Sequence, residues 1–198
     1  GFEIFKNTVS SFKSGLINVV ENKNIFKYVP EQKNEGFKAP FDVNYVALTG
    51  NFVKEQLEYN GSLLVFENIV KTDYLWKNVR VLGGAYGCMC GFGRRGQIYF
   101  VSYRDPNLSK TIDVYKGVLN YIDEFNPDEE EMIKFIIGAV GNYDYPKSPS
   151  NKGKRALVSY LTEVSEEDFK NEKAQLIDCT IEDIKKVRKY IEAIIKQN

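Results

Sequence analysis

Arg80 and Tyr86 are the residues whose types and spacing could do chemistry. They stand in the run Arg80-Val-Leu-Gly-Gly-Ala-Tyr86-Gly87, on either side of Gly83 and Gly84. Glycines let a backbone come close to a ligand or to another chain. A guanidinium keeps its proton and a tyrosine hydroxyl is neutral at physiological pH, so both side-chain types stay donors. Held either side of such a turn, the two could donate to one carbonyl oxygen. That is how developing charge on a tetrahedral intermediate is stabilised. The same residues also suit a structural salt bridge by Arg80 and a core position for Tyr86. On residue chemistry alone this structural alternative is the stronger, because most such pairs are structural.

The other chemical signals are weaker. The chain has no histidine, so it cannot build a Ser-His-Asp triad, a Cys-His pair or a His-ligated zinc site by itself. Any hydrolytic base or metal must come from elsewhere. Gly91 to Gly96 matches G-x-G-x-x-G literally, but Gln97 onward alternates as a strand, where a dinucleotide fingerprint needs a helix. The run is expected to be a hairpin loop with Arg94 and Arg95 exposed at its tip. Cys88 and Cys90 share a strand face, and two thiols without a second ligand pair read as small buried hydrophobes. With three cysteines in all there is no disulfide framework, and a reducing, cytoplasmic setting is expected. Ser102-Tyr-Arg-Asp-Pro-Asn107 is read as structural. Arg104 and Asp105 are expected to pair across a turn, and Asn107 or Ser109 to cap the next helix.

The elements that must position these residues follow from periodicity. Apolar spacing predicts a helix over 2–16, and Ile25 to Val29 reads as a strand. Val43 to Phe52 reads as a strand leading into a bend at Gly50-Asn51. Ser62 to Val79 reads as a helix apolar over most of its circumference, hence buried on several sides, with a break near Thr72-Asp73. Strands are expected at Ala85–Cys90 and Gln97–Tyr103, the second with Ile98, Phe100 and Ser102 on one face. Helices follow from Leu108 to Phe125 and from Asn126-Pro127, where an Asn cap, Pro at N1 and acids in the first turn explain the acidic run better than a metal site does. A loop is expected over 142–150 and a short helix over 153–161. Ser165 and Thr180 open capping boxes, and Ile181, Ile184, Val187, Ile191 and Ile194 form one stripe. Strands gathered before helices predict an α+β fold, a mainly antiparallel sheet with helices packed on it.

Length and charge bound the rest. The 198 residues suit a single domain over 1–198, with 1–33 read as the tail of a preceding segment. A start at Gly1 within a helical pattern suggests a piece of a longer protein. Equal numbers of basic and acidic residues, 27 each, argue against a nucleic-acid footprint or a basic membrane anchor. No apolar run reaches membrane-spanning length.

Several separated motifs together resemble a known family. They are Asn34-Glu-Gly-Phe, Val43-Asn-Tyr-Val, Asp73-Tyr-Leu-Trp-Lys-Asn-Val-Arg-Val-Leu-Gly-Gly-Ala-Tyr-Gly and Phe100-Val-Ser-Tyr-Arg-Asp-Pro-Asn-Leu. Ile136-Ile-Gly and the Asp144-Tyr-Pro-Lys-Ser-Pro loop follow in the same order. From Asn34 to the end the chain resembles the C-terminal part of the presequence-protease branch of the insulinase-family metallopeptidases. The resemblance implies the metallohydrolase-like domain fold of that family and a parent enzyme of two halves. Zinc would bind an H-x-x-E-H motif and a distal Glu in the N-terminal half, and no cofactor would bind this chain. Arg80 and Tyr86 would hold the substrate peptide and its scissile carbonyl, with Gly83 and Gly84 beside them. The implied partners are the N-terminal half and unfolded peptides, bound partly by strand addition to a sheet edge. The isolated domain would be inactive. The alternative is a non-catalytic peptide-binding or partner-subunit module of the same family.

Overall fold

A computed structural model of the chain describes residues 2–13 and 34–198. The chain divides into two compact units, Gly1–Gln32 and Lys33–Asn198. In the first, helix α1 spans Phe2–Lys13, and the Thr8 hydroxyl donates to the Ile4 carbonyl at 2.8 Å. The predicted end of this helix at Leu16 and the strand over Ile25–Val29 lie outside the described residues.

The second unit is α+β. Strands β1 (Asn44–Asn51), β2 (Gly87–Phe92) and β3 (Gln97–Asp105) form one antiparallel sheet in the order β1-β3-β2. Alternation decides which face is covered. Ile98, Phe100 and Ser102 point inward at 3 % exposure or less, as their spacing predicts, and Val46, Leu48 and Cys90 join them. The outer end of β1 is closed by the C-terminus. Gln197 exchanges two 2.9 Å hydrogen bonds with the Asn51 backbone, and the Asn198 amide donates to the Thr49 carbonyl at 2.8 Å. An exposed strand edge invites unwanted pairing, and these amides blunt it.

Helix α2 (Ser62–Ile69) runs through the centre. Leu63, Val65, Phe66 and Ile69 are fully buried, which is the multi-sided burial its composition predicts. The expected break near Thr72 does not occur. From Val70 to Val81 the same helix widens into π turns. The Thr72 hydroxyl bonds the Asn68 carbonyl at 2.8 Å, and such back-bonding competes with the backbone ladder without ending it. We call Val70–Val81 the π segment.

Helix α3 (Ser109–Glu124) lies across the inner sheet face, with Tyr115 fully buried and its ring 5.6 Å from that of Phe100. Side chains the size of Phe100 and Ile98 contribute about 1.5–3 kcal/mol each when buried. Helix α4 (Glu129–Tyr143) starts two residues later than predicted. Its cap is Asp128, in a capping box with Glu131, so Pro127 precedes the cap. Asp accepts the N3 amide as well as Asn would, and Glu131 returns the bond to the Asp128 amide. Helix α5 (Pro149–Leu161) starts earlier than predicted, because Ser148 caps it and Pro149 occupies the first turn. The boxes at Ser165 and Thr180 open α6 (Glu166–Ile177) and α7 (Ile181–Lys186) as predicted. The final stripe is divided at Val187 between α7 and α8 (Arg188–Lys196), and Ile184, Val187, Ile191 and Ile194 all remain buried. Among the described residues no helix is long and apolar enough to cross a membrane.

Candidate functional site

The π segment delivers Arg80, and a turn carries the chain from there to Tyr86 at the start of β2. The turn is built by hydrogen bonds. The Leu82 amide bonds the Lys77 carbonyl at 2.9 Å, the Gly84 amide the Arg80 carbonyl at 3.0 Å, and the Ala85 amide the Val79 carbonyl at 3.1 Å. Gly84 takes a left-handed φ of +79°, the usual helix-ending role of glycine. A Cβ on Gly83 would strike the carbonyl oxygens of Val79 and Asn78. What comes close to Gly83 is therefore the preceding helical turn of its own chain. A Cβ on Gly84 would meet Pro106 at 3.4 Å. The Asn107 amide donates to the Gly83 carbonyl at 2.6 Å and fixes the turn against the start of α3.

Arg80 is exposed, and its guanidinium carbon lies 4.0 Å from the centroid of the Trp76 ring, four residues earlier on the same helical face. Such a cation–π stack orients a guanidinium while leaving its N–H groups free to donate. No ion pair among the described residues involves Arg80. Tyr86 is 60 % exposed, with its ring edge-on to Tyr103 at 5.5 Å. The two residues thus flank one hydrogen-bonded turn, and both are exposed.

The outer sheet face continues from Tyr86. Register places Tyr103 opposite Gly87 and Tyr99 opposite Gly91. A Cβ at Gly87 would run into the Tyr103 ring, and one at Gly91 would come 2.5 Å from the Tyr99 hydroxyl. The rings lie flat over the glycines of the edge strand. Tyr45 and Met89 flank them, 69 % and 40 % exposed.

Three sequence-based assignments are corrected. Asp105 does not pair with Arg104. It is fully buried and accepts from the Ser102 hydroxyl at 2.6 Å, the Thr111 hydroxyl at 2.8 Å and the Asn107 amide at 2.8 Å. A buried carboxylate needs such donors. Neither Asn107 nor Ser109 caps α3, whose cap residue is Leu108. Arg94 is not an exposed tip residue. It forms an ion pair with the buried Glu172 of α6, and its guanidinium carbon lies 4.3 Å from the Phe169 ring. Arg95 is exposed as predicted.

Residue chemistry alone does not connect Trp76, Tyr103, Arg104 and Asn107 with the site. Trp76 carried a usable signal, since aromatic and Arg at i and i+4 meet on a helix. The others depend on which distant segments meet.

Metal chemistry does not fit these residues. The chain lacks histidine, and among the described residues no three Cys, Asp or Glu side chains gather as metal ligands. Burial raises the thiols. Cys90 is pushed well above the ordinary thiol range and Cys179 to about 12. Cys88 is raised by burial too, with the nearby Arg80 charge opposing. All three are therefore protonated, poor nucleophiles and poor ligands.

Comparison with known proteins gives this geometry its setting. Residues 34–198 match the family model described as the PreP C-terminal domain. The chain is 38% identical over 197 residues to "Protein HypA" of Clostridium perfringens, covering all of this chain and 20% of that protein. It is 34% identical over 163 residues to "Presequence protease 1, chloroplastic/mitochondrial" of Arabidopsis thaliana, covering 82% of this chain and 15% of that protein. Against "Presequence protease, mitochondrial" of Drosophila melanogaster it is 28% identical over 144 residues, covering 72% and 14%. The chain thus spans a fifth or less of the length of these relatives. It belongs to the family of presequence-protease C-terminal domains, those of presequence-protease-like peptidases.

Proposed function

We propose that this chain is the C-terminal, non-zinc-binding domain of a zinc-dependent peptidase that degrades unfolded peptides. It completes an active site whose metal, bound in the N-terminal half by an H-x-x-E-H motif, supplies an activated water. This chain contributes grip, orientation and hydrogen-bond donation. Arg80 holds the substrate peptide. Tyr86, with Arg80, donates to the scissile carbonyl oxygen as charge develops there. Gly83 and Gly84 make the turn beside which the substrate backbone passes. The domain has the metallohydrolase-like fold of the insulinase family and is inactive when isolated. Its three free cysteines support a reducing setting.

The observation that carries this reading is the exposure of both side chains at one rigid turn. A core tyrosine would be buried and a structural arginine would face a carboxylate. Tyr86 is 60 % exposed, and Arg80 meets an aromatic ring.

The test uses Arg80→Ala and Tyr86→Phe in the full-length protein, with an unstructured peptide as substrate. Each is expected to lower kcat on the order of a hundredfold or more while zinc content stays that of the wild type. Wild-type turnover in both variants sinks the assignment. A parent chain without H-x-x-E-H upstream would favour the non-catalytic module instead.

A further inference from the structure

The proposed function leaves Arg104 unused, although the backbone is distorted to place it. Strand β3 pairs residue for residue with β1 from Asn51↔Gln97 to Tyr45↔Tyr103, but the next pair is Asn44↔Asp105. Arg104 is the extra residue of a β-bulge, a device that re-aims a side chain and often sits beside active sites. Its φ is +49°, in the left-handed region where glycine is the unstrained choice. Strain of this kind persists when neighbours over-determine it. Here Asp105 is held by its three donors, and the Asn44 amide grips the Asp105 carbonyl at 3.0 Å.

The bulge aims Arg104 at Tyr86. Its guanidinium carbon lies 5.4 Å from the centroid of the Tyr86 ring, and its carbonyl accepts the Tyr86 amide at 3.3 Å. Tyr103 packs against the same ring, with the ring centroids 5.5 Å apart. No ion pair among the described residues involves Arg104. Its charge is therefore directed at the ring, where a cation is attracted by the aromatic face.

We propose that Arg104 is a positioning residue, held on the bulge to fix the Tyr86 ring so that its hydroxyl meets the substrate carbonyl. The proposal rests on Tyr86 being a substrate donor. An exposed tyrosine otherwise samples several rotamers, and donors fixed before substrate arrives are worth more to the rate than mobile ones. The effect falls on kcat, because the contact strengthens as charge develops, and leaves KM nearly unchanged.

The test is made in the full-length protein with Arg104→Met, Arg104→Lys and Arg104→Gly, alone and with Tyr86→Phe. Arg104→Met is expected to lower kcat on the order of ten- to a hundredfold, the scale of a misplaced catalytic group. Arg104→Lys recovers part of that loss by restoring a cation. Arg104→Gly relieves the backbone yet stays slow. In the Tyr86→Phe background Arg104→Met adds little further loss, as expected for residues acting as a unit. Full activity of Arg104→Gly, or an undiminished Arg104→Met effect in the Tyr86→Phe background, overturns the proposal. A second measurement places 3-fluorotyrosine at position 86 and reads its fluorine resonance. Arg104→Met should shift and broaden that resonance, whereas an unchanged line overturns the proposal. If Tyr86→Phe alone keeps wild-type turnover, the donor reading fails, and the fluorine line still decides whether Arg104 fixes the ring.

Discussion

Asn107 donates its side-chain amide to the carbonyl oxygen of Gly83 at 2.6 Å. The bond ties the residue before the cap of α3 to the turn between Arg80 and Tyr86. The Asn107 backbone is itself held by Asp105 at 2.8 Å, so one buried carboxylate steadies the bulge, the helix start and the turn together. Asn107→Ala should cost about 1 kcal/mol, the net value of one good hydrogen bond. In the full-length protein it should also lower kcat more than its stability loss explains. Urea unfolding and steady-state kinetics on the same variant check this. A stability loss with normal kcat would mean the turn holds its shape without this bond.

The glycines of the turn make a sharper comparison. Gly84 has φ +79°, so Gly84→Ala should destabilise by about 1 kcal/mol or more. Gly83→Ala drives a methyl into the Val79 carbonyl oxygen and should cost at least as much. Gly153 lies within α5 and Gly141 within α4, and a Cβ at either meets nothing within 4 Å. Alanine there should stabilise by about 0.5–1 kcal/mol, since glycine is a poor helix former. Thermal melts of the four single variants should divide two against two. A stable Gly84→Ala protein would contradict the left-handed turn.

Features that act within a few residues are legible in the sequence. Periodicity marks Ile98, Phe100 and Ser102 as one face and the Ser165 and Thr180 boxes as helix starts, because strand alternation and capping are local. The family motif marks Arg80 and Tyr86. Arg94 with Glu172, Asn107 with Gly83 and the bulge at Arg104 all depend on which distant segments meet. Local residue chemistry cannot supply that, so it reads Arg94 as a solvated tip and Arg104 as half of an ion pair.

Arg94 and Glu172 bind the hairpin tip to α6. Tyr59 adds a 3.1 Å hydrogen bond to the Glu172 carboxylate. Glu172→Ala leaves a partly buried guanidinium and a phenol without their partner, and should cost about 3 kcal/mol. The figure is at the low end for buried pairs because 26% of the Arg94 side chain remains exposed. Urea midpoints measure it, and an unchanged midpoint would place this pair among surface bridges of little worth. Catalysis in the full-length protein should survive, since neither residue lies at the Arg80–Tyr86 turn.

Stability should fall at alkaline pH, and the sign follows from burial. Desolvation pushes Cys179 to about 12, Tyr59 to about 12 against the opposing Arg94 charge, and Cys90 well above its ordinary value. These groups stay neutral in the folded chain while the unfolded chain ionises from about pH 8.5 for thiols and about pH 10 for tyrosine. Above those values the folded state binds more protons than the unfolded state, so raising the pH favours unfolding. Stability should be flat from these groups below about pH 8. It should then decline with a slope of about 1.4 kcal/mol per pH unit for each group passing through its window. For Cys179 that window runs from the ordinary thiol value up to about 12. Cys179→Ala should be less stable at neutral pH, because it empties a buried site, yet lose stability more slowly between about pH 9 and 11. Parallel pH profiles for the two proteins would mean that this thiol ionises as freely in the fold as in the unfolded chain.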